Sequence, residues 1–497
     1  MRKIMGINHM KKLYIILIII LDLLIPGLVA LSLLVFNVPD FIYILVSSII
    51  IVLNIMLFRC DGKKVGKIVL SIISFIFISS GFAGVYCNPY WNTYNFRNTS
   101  LISKAYDYEL TKNEALEDLE YAMKKLRSIH PVFYYNTNKQ IEDKYEMVKK
   151  EIESKDKVTV AYLEARIESI LSLLGDAHTK ALGNYSEYHI MKETSHHNNN
   201  GDKLTKINGI GLKELWNSKK NLFSYEMEEA GFKEFCDQLV LLEELTKMDI
   251  SVDKIVYTYD NNGIENDYTY TKDDFLIQSE YYKYNNIEVN KESKEFVYYE
   301  IDKDNDVAIL TLDECINNDL YKTTIKDMFK EIKDNNINNV AVDLRNNGGG
   351  NSSVATEFIK YLNVDEYLEW AYEERYGLIT IENKEKTIKN EKYNDEVFNG
   401  NVYVLTSIDS FSSAMNFAMY IKDNNIGKVI GETSSNNPNS YGDITIHLLP
   451  NSKIYMQISY KTWHRISTVK DEEFVEPNIK CNSKEAINVL YKTINNM

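Results

Sequence analysis

Proline and cysteine are scarce, with 7 and 5 in 497 residues, and any basic excess is missing. A formal net charge of −15 argues against a nucleic-acid partner, since binding a phosphate backbone requires a basic face; none is expected. There is no C-x-x-C pair. Cys60, Cys87, Cys236, Cys315 and Cys481 are too widely scattered to read as a disulfide framework. Metal-ligand spacing is also lacking, since His196 and His197 adjoin an asparagine run that reads as a polar loop; no metal is expected. No internal repeat is evident. The composition, 45% hydrophobic and 26% charged, is globular, and the length allows two or three domains.

Long apolar runs are present, all in the first ninety residues. Leu13–Phe36, Phe41–Phe58 and Ile68–Tyr86 are each near the ~20 residues that cross a bilayer. They predict three transmembrane helices within a membrane anchor over residues 1–92. Arg2, Lys3, Lys11 and Lys12 precede the first run, and Arg59, Lys63, Lys64 and Lys67 fill the loop after the second. This asymmetry predicts a cytoplasmic N-terminus and an extracytoplasmic chain beyond about Cys87, a multi-pass protein of the cytoplasmic membrane. Asp22, inside the first run, is expected to face another helix.

Residues 93–175 carry apolar positions at helical spacing and predict a helical cap, with Pro131 ending one helix. Residues 176–300 combine a histidine loop with alternating runs such as "KIVYTYD", "DYTYT" and "EFVYYEI", which read as antiparallel strands. From 301 to 497 strands alternate with helices, so an α/β core with a mostly parallel sheet is expected.

Three motifs carry chemistry. "VAVDLRNNGGG" ends a strand in Gly348, Gly349 and Gly350 before a helix. It lacks the Lys-Ser/Thr of a phosphate loop and the spacing of a dinucleotide site, which leaves a tight turn or an oxyanion site. "TSIDSFSSAMNF" places Ser412 and Ser413 at a helix start, where a hydroxyl is either an N-cap or an exposed nucleophile. "GDAHT" places His178 just beyond an amphipathic helix; a nucleophilic serine needs such a base, which can be distant in sequence.

With "VEPNI" near the end, these motifs in this order resemble the C-terminal processing, or tail-specific, and tricorn-like serine peptidases. The resemblance runs from about Leu116 to Val489. It implies a crotonase-like αβ catalytic core, a helical domain before it, and a PDZ-like insertion that "GDKLTKINGIGLKELW" resembles. It further implies Ser413 as nucleophile in "SAMN", where Asn416 replaces the family's glutamate, and an oxyanion hole from Gly348 or Gly349 and the Ala414 amide. The lysine of the tail-specific branch has no counterpart in "GETSSNNPNSYGDI", so the resemblance to the tricorn-like branch points to His178 as base. Auxiliary candidates are Asp471, Glu472 and Glu473, with Lys461 an alternative base. The expected activity is serine endopeptidase action on polypeptides outside the membrane, without metal or nucleotide. The alternative is an inactive relative that binds peptides or senses a ligand. Oligomeric state is not legible.

Overall fold

The computed structural model describes residues 2–34, 40–86, 102–134, 137–193, 203–287, 295–377, 379–393, 397–469 and 472–496. Cys87, His196, His197 and Asp471 lie outside the described residues. Cys60, Cys236, Cys315 and Cys481 are free thiols.

Three N-terminal helices span Arg2–Leu34, Asp40–Arg59 and Lys64–Tyr86. Their segments Met10–Leu31, Phe41–Arg59 and Lys64–Gly84 are long and apolar enough to cross a membrane. Leu23, Phe75 and Ile76 point outward, as a lipid-facing surface would require. Polar side chains turn inward instead: Ser74 donates to Asp22 Oδ2 at 2.8 Å, and Asn54 donates to Ser74 at 3.2 Å. Asp22 therefore faces the third helix.

The cap helices are Lys112–Ile129, Lys139–Glu153 and Val160–Leu171. Thr111 and Glu114 form a reciprocal capping box at the first of them, an arrangement in which the cap contributes about 1 kcal/mol. This helix ends at Ile129, before Pro131. An antiparallel sheet follows, in the order Ile210–Gly211, Lys203–Ile207, Ile255–Asn261, Ile264–Tyr270. Asn208 and Gly209 turn its first hairpin with φ of 51° and 77°, the left-handed pair that a two-residue hairpin prefers. One continuous core joins cap and sheet, from Leu119 and Ile167 to Trp216 and Tyr257, and takes in Met456 and Ile458 of the C-terminal part.

The main sheet has six strands in chain order: Val297–Asp302, Val307–Leu312, Asn339–Asp343, Asn401–Thr406, Lys428–Gly431 and Ile479–Lys480. All are parallel except the first. Asn339–Asp343 is buried along its whole length, hence a nearly continuous apolar run rather than an alternating one. Val297–Asp302, read from sequence with the insertion's strands, pairs instead with Val307–Leu312.

A second sheet was not legible in the sequence. It runs Ile379–Asn383, Ala371–Tyr376, Tyr455–His464, Tyr441–Leu448, and Lys180–Leu182 joins it on Tyr455–Gln457. That last pairing ties the histidine loop to the C-terminal part.

Candidate active site

The glycine turn is built around Asn347, which is fully buried. Its Nδ2 donates to Leu312 O at 2.7 Å, its Oδ1 accepts the Gly349 N–H at 2.8 Å, and its carbonyl accepts the Phe411 N–H at 3.0 Å. One residue thus joins a strand end and the glycine turn through its side chain and the serine loop through its carbonyl. Gly349 has φ of 108°, and a Cβ there would lie 2.7 Å from Ser412 Cβ and 3.0 Å from Ser413 N. Gly350, at φ 132°, would meet Cys315 O at 2.5 Å. These glycines let the turn press against the serine. The helix after them is short, Ser353–Ile359.

Ser412 has φ 52° and ψ −120° and caps nothing with its side chain. A non-glycine residue in this region is strained and must be held by its surroundings. Here Asn436 holds it, accepting the Ser412 N–H at 3.1 Å. The turn delivers Ser413 to the first position of the helix Ser413–Asp423. Its Oγ donates to Gly350 O at 2.8 Å and lies 2.9 Å from Ser352 Oγ, to which Asn416 donates at 3.4 Å.

His178 lines the same small cavity as Ser413, with Ser352, Asn416, Tyr441 and Trp463. Its volume is about 20 Å³, room for roughly one water. The imidazole packs on Phe411 with centroids 4.5 Å apart. Its Nδ1 is buried, has no hydrogen-bond partner among the described residues, and lies 3.7 Å from Asp176 Oδ1. Asp176 is fully buried and accepts from His178 N at 2.9 Å, Thr179 Oγ1 at 2.6 Å and His130 Nε2 at 3.2 Å. Burial alone would raise its pKa, but interactions with His130 and His178 hold it well below the usual carboxylate range.

The other sequence candidates fall differently. The Ala414 N–H donates to Phe411 O at 3.0 Å and the Gly349 N–H is held by Asn347, so in this conformation neither is open to an oxyanion. The Gly348 N–H has no partner among the described residues, and Gly348 is exposed. Glu472 pairs with Lys422 at 2.6 Å and Arg465 at 3.1 Å, at the far end of the Ser413 helix. Glu473 is exposed. Neither lines the serine cavity. Lys461 is bound to Asp443 at 2.6 Å; burial lowers its pKa, but Asp443 and Glu374 raise it above the ordinary value on balance. It is the ion-pair partner of a residue that lines the cavity.

Two residues of the site carry no sequence signal: Asn436, in a segment marked only by the lysine it lacks, and Glu226. The Glu226 carboxylate accepts from Ala177 N, Asn436 Nδ2 and Asn437 N. Its loop carries no motif that would have marked it.

Residues 306–481 match the description of peptidase family S41; this segment includes the glycine turn and Ser413 but not His178. No curated protein sequence matches the chain. Among solved structures, the chain is similar in fold to mature CPAF, with 10% identity over 77% of this chain and 96% of that one at a TM-score of 0.56. It is equally similar to mature CPAF complexed with lactacystin, at 11% identity over 78% and 97%, TM-score 0.56. The photosystem II D1 C-terminal processing protease aligns over 75% of this chain and 94% of its own, with 13% identity and a TM-score of 0.41.

Proposed function

We propose, on the premise that this chain is a serine-type peptidase of family S41, that it is a membrane-anchored extracytoplasmic endopeptidase with Ser413 as nucleophile and His178 as base. The observation that carries this is a serine presented on a positive-φ turn, with a glycine turn against it and a histidine in the same cavity. The Ser413 Oγ proton passes to an imidazole nitrogen of His178 as Oγ bonds to the scissile carbonyl carbon. The C–N bond then breaks and the same proton leaves on the amine. Water, deprotonated by His178, hydrolyses the acyl ester and restores the Ser413 hydroxyl. The Gly348 N–H is the available oxyanion donor.

In this reading the three helices anchor the chain with its N-terminus in the cytoplasm, the αβ core is crotonase-like, and the sheet of residues 203–270 is PDZ-like and receives substrate C-termini by strand addition. Polypeptides are the substrates.

The test is hydrolysis of an unstructured protein by the full chain in detergent, comparing Ser413→Ala, His178→Ala and Lys461→Ala. Loss in the first two, with Lys461→Ala retaining turnover, supports the assignment; full activity in Ser413→Ala contradicts it. A second reading, a non-turnover peptide binder, is favoured by one observation: Ser413 Oγ is bonded to Gly350 O and not to His178. Peptide binding by a folded wild type without cleavage would select it.

A further inference from the structure

Glu226 lies in the loop before the helix Glu228–Gln238, outside every motif that marks the site. Its Oε1 accepts the Ala177 N–H at 3.3 Å, and its Oε2 accepts Asn436 Nδ2 at 2.7 Å and the Asn437 N–H at 2.6 Å. Ala177 immediately precedes His178. Asn436 is the residue that holds the strained Ser412 turn through the Ser412 N–H. One carboxylate therefore grips both the loop that carries the base and the residue that fixes the nucleophile's turn.

Glu226 is also close to the base itself. A ring nitrogen of His178 and carboxylate oxygens of Asp176 and Glu226 all lie within 4.8 Å of one another. Burial raises the Glu226 pKa, the His178 charge opposes that, and Asp176 adds to it. Apart from His178, the titratable groups lining the Ser413 cavity are Asp443 and Tyr441, with Lys461 paired to Asp443 and His130 bonded to Asp176; Glu226 itself lines the neighbouring pocket, with Lys180, Lys233, Glu234, Asp237 and Asp409. A cation held by this trio is the competing reading. Against it, both Asp176 oxygens and both Glu226 oxygens already accept protein N–H or O–H donors.

We infer that Glu226 is the positioning acid of the Ser413–His178 pair, fixing the His178 loop through Ala177 and the Ser412 turn through Asn436, and favouring the imidazolium formed as serine loses its proton. This rests on the reading of Ser413 and His178 given above. It gives His178 a second carboxylate beside Asp176, from the segment between cap and core, whereas the family resemblance points to one near the C-terminus.

The experiment uses the full chain in detergent with a fluorescently labelled unstructured protein as substrate, and measures kcat, KM and the pH profile of kcat/KM for wild type, Glu226→Gln and Glu226→Asp. In Glu226→Gln one end of the amide faces the wrong partner, because all three groups around the carboxylate are N–H donors. The expected result is a kcat roughly 10- to 100-fold lower with KM within about threefold. The acid limb of kcat/KM should move to lower pH, since a negative charge favouring imidazolium is gone. Glu226→Asp, which keeps the charge, should recover the position of that limb. An unchanged kcat and limb in a folded Glu226→Gln overturns the inference while leaving Ser413 and His178 in place. Loss of wild-type activity on chelation, restored by Zn²⁺, would also overturn it in favour of a metal site. A folded wild type that neither cleaves substrate nor labels at Ser413 with a phosphonate removes the underlying reading, and the inference with it.

Discussion

The Ser413 hydroxyl donates to the Gly350 carbonyl at 2.8 Å. The glycine turn thus holds this hydroxyl, with Ser352 Oγ 2.9 Å away; in the proposed mechanism it swings toward His178 before it attacks. The proposed mechanism gives Ser352 a part in this resting arrangement and none in the proton transfer. Ser352→Ala removes the contact with Ser413 Oγ and the long 3.4 Å bond from Asn416, together about 1 kcal/mol, so kcat should stay within roughly fivefold of wild type. A loss comparable to that of Ser413→Ala would make Ser352 part of the chemistry.

Gly349 should be intolerant of any side chain. At φ 108°, with Ser412 Cβ 2.7 Å from a built Cβ, Gly349→Ala combines backbone strain with a push on the serine turn. The expected cost is about 1–3 kcal/mol of stability, with a fall in kcat beyond what the residual folded fraction explains. Gly348→Ala is the control, because its Cβ would meet nothing within 4 Å. Equal thermal midpoints and kcat in the two variants would contradict this account of the turn.

Glu472 was a sequence candidate for catalysis, yet it ties Lys422 to Arg465. Glu472→Gln should cost at most about 1 kcal/mol, because the pair is partly open to solvent, and should leave kcat within twofold. Steady-state kinetics with a thermal melt separates the two roles.

Glu168 gives the protein a pH dependence unrelated to the serine site. Burial pushes its pKa from 4.5 up to about 7, despite hydrogen bonds from Ala181 N and Ser224 Oγ. Below the lower value both folded and unfolded chains are protonated. Between the two values only the unfolded chain ionises, so stability falls as pH rises, by up to about 3 kcal/mol. Glu168→Gln should flatten this slope, read as a smaller drop in unfolding midpoint between pH 5 and pH 7.5. A slope unchanged by the substitution would assign the effect to another group.

Much of this architecture is legible from local pattern alone. Parallel strands such as Asn339–Asp343 announce themselves as buried apolar runs, and the Ser413 helix and glycine turn follow from residue types that few other structures need. Three features are not legible, each because it depends on distant partners. Ala371–Tyr376 and Tyr441–Leu448 show mixed burial and gain their identity only by pairing with Tyr455–His464. The engagement of the Ala414 amide depends on how the chain turns at Phe411. Glu226 meets Asn436 across 210 residues of sequence, and a lone acid in a short loop carries no periodicity to betray it.

The proposed mechanism stands on Ser413 as a nucleophile activated by His178. The most direct measurement is covalent labelling of the full chain in detergent by a fluorophosphonate, with the modified residue mapped by mass spectrometry in wild type and His178→Ala. Phosphonylation on Ser413 is expected, slowed by at least about 100-fold in His178→Ala. Label on another serine, or equal labelling of Ser413 in both proteins, would contradict it.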